Sequence, residues 1–135
     1  MSVNFTGQLV APLTTELKHI LSGAFIKTTA PLDNGGDGSC FSPTDLFASS
    51  LGACGATIMS MYASKSSIPL LNIYFEVEKI MATAPRRVSK IIVQYYLKTN
   101  CSDDEFKKLI AAGKSCPVKV TIQDVVEIEE SYIRV

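Results

Sequence analysis

Between Asp45 and Lys65 the chain runs for 19 residues without a charge. Ser42-Pro43-Thr44-Asp45 precedes this stretch. Serine suits an N-cap, proline the first helical position and an acid the third, where it answers the cap. These signals predict a helix from Ser42 to about Ser66, stopped before Pro69. A membrane span needs about 20 mostly apolar residues. This stretch approaches that length, but it carries Ser49, Ser50, Thr57, Ser60 and Ser64 and two glycines. Much of its apolar content is alanine, and no second span or anchor follows, so no membrane is expected. Leu46, Phe47, Leu51, Ile58, Met59, Met61 and Tyr62 spread around most of the cylinder. A helix apolar on all sides is buried on several sides. A chain of 135 residues has little material to surround one. Packing against a second copy is the simplest solution, so a homodimer with this helix near its centre is expected.

The length fits one domain, 1–135. Hydrophobic residues make up 47% and charged residues 19%, the balance of a folded globule. The 13 basic and 13 acidic residues cancel, without a long basic run. Nucleic acid is therefore not an expected partner. The start, MSVNFTGQLVAP, lacks the basic and apolar segments of a secretory signal. Cys40, Cys54, Cys101 and Cys116 then read as reduced thiols in the cytoplasm. None forms a C-x-x-C pair, and His19 is the sole histidine, so no metal site is expected.

Elsewhere, Gln8 to Val10 and Leu17 to Thr28 read as strands, the second turning at Ser22-Gly23. Pro31 to Ser39 is a glycine-rich loop. Ile73 to Ile80 and Val88 to Lys98 alternate as a strand pair. Ser102-Asp103-Asp104-Glu105 is a capping box opening a helix to about Gly113. Val118 to Ile128 and Ser131 to Val135 read as strands. The order gives an α+β fold.

By composition Cys54 is a buried and inert thiol. Cys116, in Ser115-Cys116-Pro117 after a helix end, is open to either a structural or a reactive role. Four segments alter the reading: GGDGSCFSPTDLFASSLGAC, IPLLNIYFEVEKI, PRRVSKIIVQYYL and KSCPVKVTI. With them the chain resembles the OsmC/Ohr family, the osmotically induced and organic-hydroperoxide-resistance proteins, from about His19 onward. Two motifs carry the likeness: Ser42-Pro43 with Asp45-Leu46 ahead of Cys54 on a helix, and Cys116-Pro117-Val118.

The resemblance implies an intertwined homodimer with antiparallel sheets packed around central helices. It implies a thiol-dependent peroxidase acting on organic hydroperoxides. The cysteine at Cys54 attacks the peroxide, and the one at Cys116 closes a disulfide. An external dithiol, a lipoyl protein in some relatives, reopens it, and no bound cofactor is needed. The chemistry is sound, since the thiolate is the nucleophile. A pKa of ~8.5 leaves a few per cent ionised at neutral pH, and ~6 gives roughly 90%.

The family's peroxidases hold the thiolate with an N-terminal arginine oriented by an acid near the helix start. The acidic position here is Asp45, with Thr44 beside it. No arginine precedes Arg86. Lys18, His19 and Lys27 are the N-terminal cationic candidates, and Arg86 and Arg87 those from the strand connection. Asp45 and Cys54, nine residues apart, face opposite sides of a straight helix, about 900° of rotation and 13.5 Å of rise. The helix therefore breaks near Gly52-Gly55, or Asp45 acts through an intermediary or on the other subunit. A break would put Cys54 at a helix N-terminus. Asp45 is equally the answer to the Ser42 cap. Cys40 and Cys101 read as incidental, and Met59 and Met61 as core or pocket lining. The competing reading is a non-catalytic dimer that binds a small apolar ligand. A cysteine hydrolase or transferase is a third, for which the chain lacks a convincing Cys-His pair.

Overall fold

A computed structural model describes all 135 residues. The chain divides into two compact units, Met1–Leu46 and Phe47–Val135.

The first unit is an antiparallel meander, β1 (Phe5–Ala11), β2 (Thr14–His19) and β3 (Phe25–Thr29), paired in that order. The strands expected over Leu17 to Thr28, turning at Ser22-Gly23, are the β2–β3 hairpin, and Gly23 takes the left-handed conformation its turn requires (φ +75°). Sequence alternation missed Thr14–Glu16 because two threonines and a glutamate carry no apolar signal. A single 3₁₀ turn, Leu32–Asn34, interrupts the glycine-rich loop.

In the second unit α1 (Pro43–Lys65, begun in the first) lies against a three-stranded sheet of β4 (Asn72–Ala82), β5 (Arg87–Lys98) and β6 (Glu127–Arg134). The capping box at Ser42 is formed. Asp45 N–H donates to Ser42 Oγ at 3.1 Å, and Ser42 N–H donates to the Asp45 carboxylate at 2.9 Å. The second box is formed as well, with Ser102 opening α2 (Asp103–Lys114). β5 runs down the middle, with Ile91, Val93, Tyr95 and Leu97 all fully buried. Within the chain α1 buries one stripe, Ala48, Leu51, Gly52, Gly55, Met59 and Ala63. Gly52 packs against Phe75 and Val77, Gly55 against Tyr95, and Met59 against Gly113 of α2. Phe47 and Met61 remain 38% and 49% exposed. α1 is also the one helix long and apolar enough to cross a membrane by length and composition.

Two expectations are corrected. The segment after Cys116 is not a strand: Pro117–Ile122 is a short helix, α3. Val118, Val120, Thr121 and Ile122 are β-branched, which argues for a strand. Pro117 at the first helical position and Cys116 as N-cap decide otherwise. β6 then runs unbroken through Glu129-Glu130, where two strands were expected. Nor are the sheets all antiparallel. β4 and β5 form an antiparallel hairpin, but β6 pairs with β5 in parallel. A parallel neighbour needs a crossover, and α2 and α3 supply it.

Candidate functional site

The crossover returns the chain from α2 to the flank of α1 and brings Cys116 beside Cys54. The two thiols are hydrogen-bonded to each other, and both are free rather than in a disulfide. Cys54 is half-buried on α1, and Cys116 is 1% exposed. Cys116 caps α3: its Sγ accepts the Lys119 backbone N–H at 3.4 Å. Burial pushes the Cys116 thiol up to about 11, and the hydrogen bond to Cys54 adds to the rise, against the Lys119 amide, which lowers it. Cys116 therefore keeps its proton at neutral pH.

This shift has a consequence for stability. A free thiol titrates near ~8.5. Because the folded value is higher, the native state holds the proton more tightly. Its contribution is complete below the unfolded value and is lost as pH rises toward 11. Between these limits the wild type is expected to lose about 3 kcal/mol relative to Cys116→Ser. Urea unfolding of the two proteins at several alkaline pH values checks this, and parallel profiles contradict it.

A polar network that no motif announced lies behind the thiols. Lys119 Nζ pairs with Glu130 Oε1. Glu130 Oε2 accepts the Tyr132 hydroxyl at 3.1 Å. Tyr132 lies opposite Tyr95 in the β5–β6 register, and the rings stack with centroids 5.0 Å apart. The Tyr95 hydroxyl donates to the Leu51 carbonyl at 3.3 Å, one turn before Cys54 on α1. Burial first, and then the Glu130 carboxylate, raise both phenols far above the usual tyrosine range. The signal in the sequence is phase. Ile128, Glu130 and Tyr132 share the inward face of β6, so Glu130 is a charge on an apolar period.

The other candidates have local roles. The Asp45 carboxylate serves the α1 cap. α1 is continuous from Pro43 to Lys65, so of the alternatives the break near Gly52–Gly55 is absent and Cys54 is not at a helix start. His19 Nδ1 meets Ser22 Oγ at 2.6 Å in the β2–β3 turn, and its ring lies against Phe5. Lys18 sits over the Phe25 ring, and Lys27 faces Glu16 across the β2–β3 ladder. Arg87 ties the β4–β5 turn through the Thr83 and Pro85 carbonyls. Cys101 is a core residue and Cys40 is partly exposed. Met59 is core, while Met61 joins Ile58, Tyr62 and Ala112 in a groove of about 410 Å³ between α1 and α2 that ends at Ser115.

The crossover of this α+β fold thus sets two free thiols side by side. The chain belongs to the OsmC-like protein family, whose model matches residues 36–131. A Psychrobacter arcticus protein, with a name that refers to osmotic-stress induction and a detoxification response, has the same fold. It is 34% identical, with 97% of this chain and 94% of that one covered and a TM-score of 0.86. An organic hydroperoxide resistance protein from Legionella pneumophila is 20% identical, with coverage of 98% and 97% and a TM-score of 0.72. OhrB of Bacillus subtilis, an organic hydroperoxide resistance protein, is 13% identical, with 98% of each chain covered and a TM-score of 0.67. The last two likenesses are of fold alone. No curated protein matches the chain.

Proposed function

We propose that the protein is a thiol peroxidase that reduces organic hydroperoxides, with Cys54 as nucleophile and Cys116 as resolving thiol. The observation that carries this reading is the contact between Cys54 and a Cys116 that keeps its proton. Cys54 thiolate attacks the distal oxygen of ROOH. The O–O bond breaks, ROH leaves with a proton, and Cys54 becomes a sulfenic acid. Cys116 then attacks that sulfur, its own proton leaves with the hydroxyl as water, and a disulfide forms. An external dithiol gives two electrons and two protons to restore both thiols. Asp45 contributes by capping the helix that carries Cys54. The groove between α1 and α2 offers apolar surface to the organic part of the substrate. The protein works in the cytoplasm, where a dithiol supply keeps it reduced.

The test is peroxide consumption with a dithiol reductant, comparing an alkyl hydroperoxide with hydrogen peroxide. Faster turnover of the alkyl compound is expected. Stoichiometric peroxide should yield a Cys54–Cys116 disulfide in non-reducing peptide maps. Ligand binding without turnover would instead favour the non-catalytic dimer, a reading kept alive by the lack of any arginine before Arg86.

The working form is a homodimer. Phe5, Leu9, Phe25 and Ile26 of the first unit, and Phe47 and Met61 on α1, are exposed in the single chain. Apolar exposure on this scale marks an interaction surface. Light scattering at micromolar concentration is expected to give twice 14.6 kDa. A monodisperse monomer contradicts the dimer.

A further inference from the structure

We infer that Glu130, acting through Lys119, is a positioning residue that holds Cys116 against Cys54 and so sets how readily the two thiols join. The inference rests on the proposed dithiol site.

α3 has six residues, too few to hold a helical turn on propensity alone. Its geometry comes from what it is tied to. Ile122 anchors its last turn in the core. The first turn carries Cys116 and Lys119, joined by the hydrogen bond from the Lys119 amide to Cys116 Sγ. From the same residue the Lys119 ammonium reaches across to Glu130 on β6. Glu130 has 4% of its side chain exposed and Lys119 has 19%. Glu130 is itself fixed, since its second oxygen takes the Tyr132 hydroxyl and Tyr132 stacks on Tyr95. Tyr95 is hydrogen-bonded to the Leu51 carbonyl of α1. The chain of contacts thus starts on the helix of one thiol and ends on the helix of the other. It links the two helices through side chains that are largely buried.

A buried ion pair is an inefficient source of stability, because desolvation cancels most of the Coulombic gain. Such pairs are better at fixing register, and register is what a resolving thiol needs. Disulfide formation demands narrow limits on the separation and direction of both Cβ atoms. Without the Glu130 charge, the partly exposed Lys119 turns to solvent. The first turn of α3 is then freed, and the sulfurs spend less time in contact.

The test reads the disulfide equilibrium, which does not depend on peroxidase activity. Wild type, Glu130→Gln, Lys119→Met and Lys119→Arg are equilibrated with reduced and oxidised dithiothreitol at set ratios. The Cys54–Cys116 disulfide is then quantified by peptide mapping. Glu130→Gln and Lys119→Met are expected to lower the disulfide equilibrium constant about tenfold, a potential about 30 mV less reducing. Lys119→Arg keeps the charge pair and is expected to match the wild type. Loss of packing alone would not separate Arg from Met at this position. If Glu130→Gln fails to fold, the contrast between Lys119→Met and Lys119→Arg decides alone. Wild-type potential in Glu130→Gln or Lys119→Met overturns the inference, as does a wild type that never forms the disulfide. A shifted potential in a protein that consumes no peroxide supports the positioning role while the peroxidase reading fails.

Discussion

Cys54→Ser is expected to abolish peroxide turnover, while Cys40→Ser leaves it nearly intact. A serine hydroxyl is not a nucleophile toward peroxides at neutral pH, so only another thiol in the site could take over. Cys116 is the candidate, and its environment disqualifies it. It is 1% exposed, and its thiol is pushed up to about 11. Burial is the largest cause of that rise and persists in the variant, although the part that comes from Cys54 does not. Turnover in Cys54→Ser should therefore fall to near the background rate. Cys40 lies outside the pair and Cys101 is part of the core. Steady-state consumption of an alkyl hydroperoxide with dithiol in excess measures the effect. Unchanged turnover in Cys54→Ser would sink the peroxidase assignment. Cys116→Ser should behave differently, accumulating a sulfenic acid on Cys54 that dimedone captures.

The second large effect is on stability. Gly55→Ala is expected to destabilise the fold by about 2–3 kcal/mol, even though alanine is the better helix former by about 1 kcal/mol. A Cβ at Gly55 would overlap the Tyr95 hydroxyl and lie 2.7 Å from ring carbon Cζ. Tyr95 has nowhere to go. It is fully buried, stacked on Tyr132 on one side and against Phe75 on the other. Displacement also breaks its hydrogen bond to the Leu51 carbonyl, worth about 1 kcal/mol. For a chain of this size the melting temperature should drop by roughly 10 °C. Ser60→Ala, on an exposed part of the same helix, should change stability by less than about 0.5 kcal/mol. Adding Tyr95→Phe to Gly55→Ala should recover part of the loss, because it removes the nearest clashing atom. Additive losses in the double variant would contradict the packing account.

What local chemistry controls was legible before the structure. The Ser42 and Ser102 capping boxes announced both long helices, and the end of α1 lay within a residue of its expected place. The β4–β5 hairpin followed from alternation. Long-range decisions were hidden. Val118 to Ile122 has strand composition, and only the cap at Cys116 with Pro117 shows that the segment turns into a helix. The direction of β6 depends on the crossover, not on its own residues. Cys54 and Cys116 are 62 residues apart, and nothing in that separation says they meet. The family resemblance supplied the pairing that spacing could not. Glu130 was passed over because two adjacent glutamates look like the end of a strand. One of them lies on the solvent face of β6, and the other lies on its inward face and pairs with Lys119.

The parallel pairing of β5 and β6 also sets the order in which this site comes into being. An antiparallel hairpin such as β4–β5 closes through a short turn. β6 can dock only after everything between Lys98 and Glu127 has folded back, and such distant pairings are slow to form. Cys54 precedes that stretch and Cys116 lies inside it. A refolding chain therefore passes through a period in which Cys54 has no thiol at its side. A sulfenic acid made then has no thiol held against it, and a second molecule of peroxide oxidises it to the irreversible sulfinic form. A peroxide pulse early in refolding should leave sulfinic acid on Cys54, and the same pulse on native protein should leave a disulfide. Oxidative damage to this protein is in that sense a matter of timing, governed by the rate of topological closure.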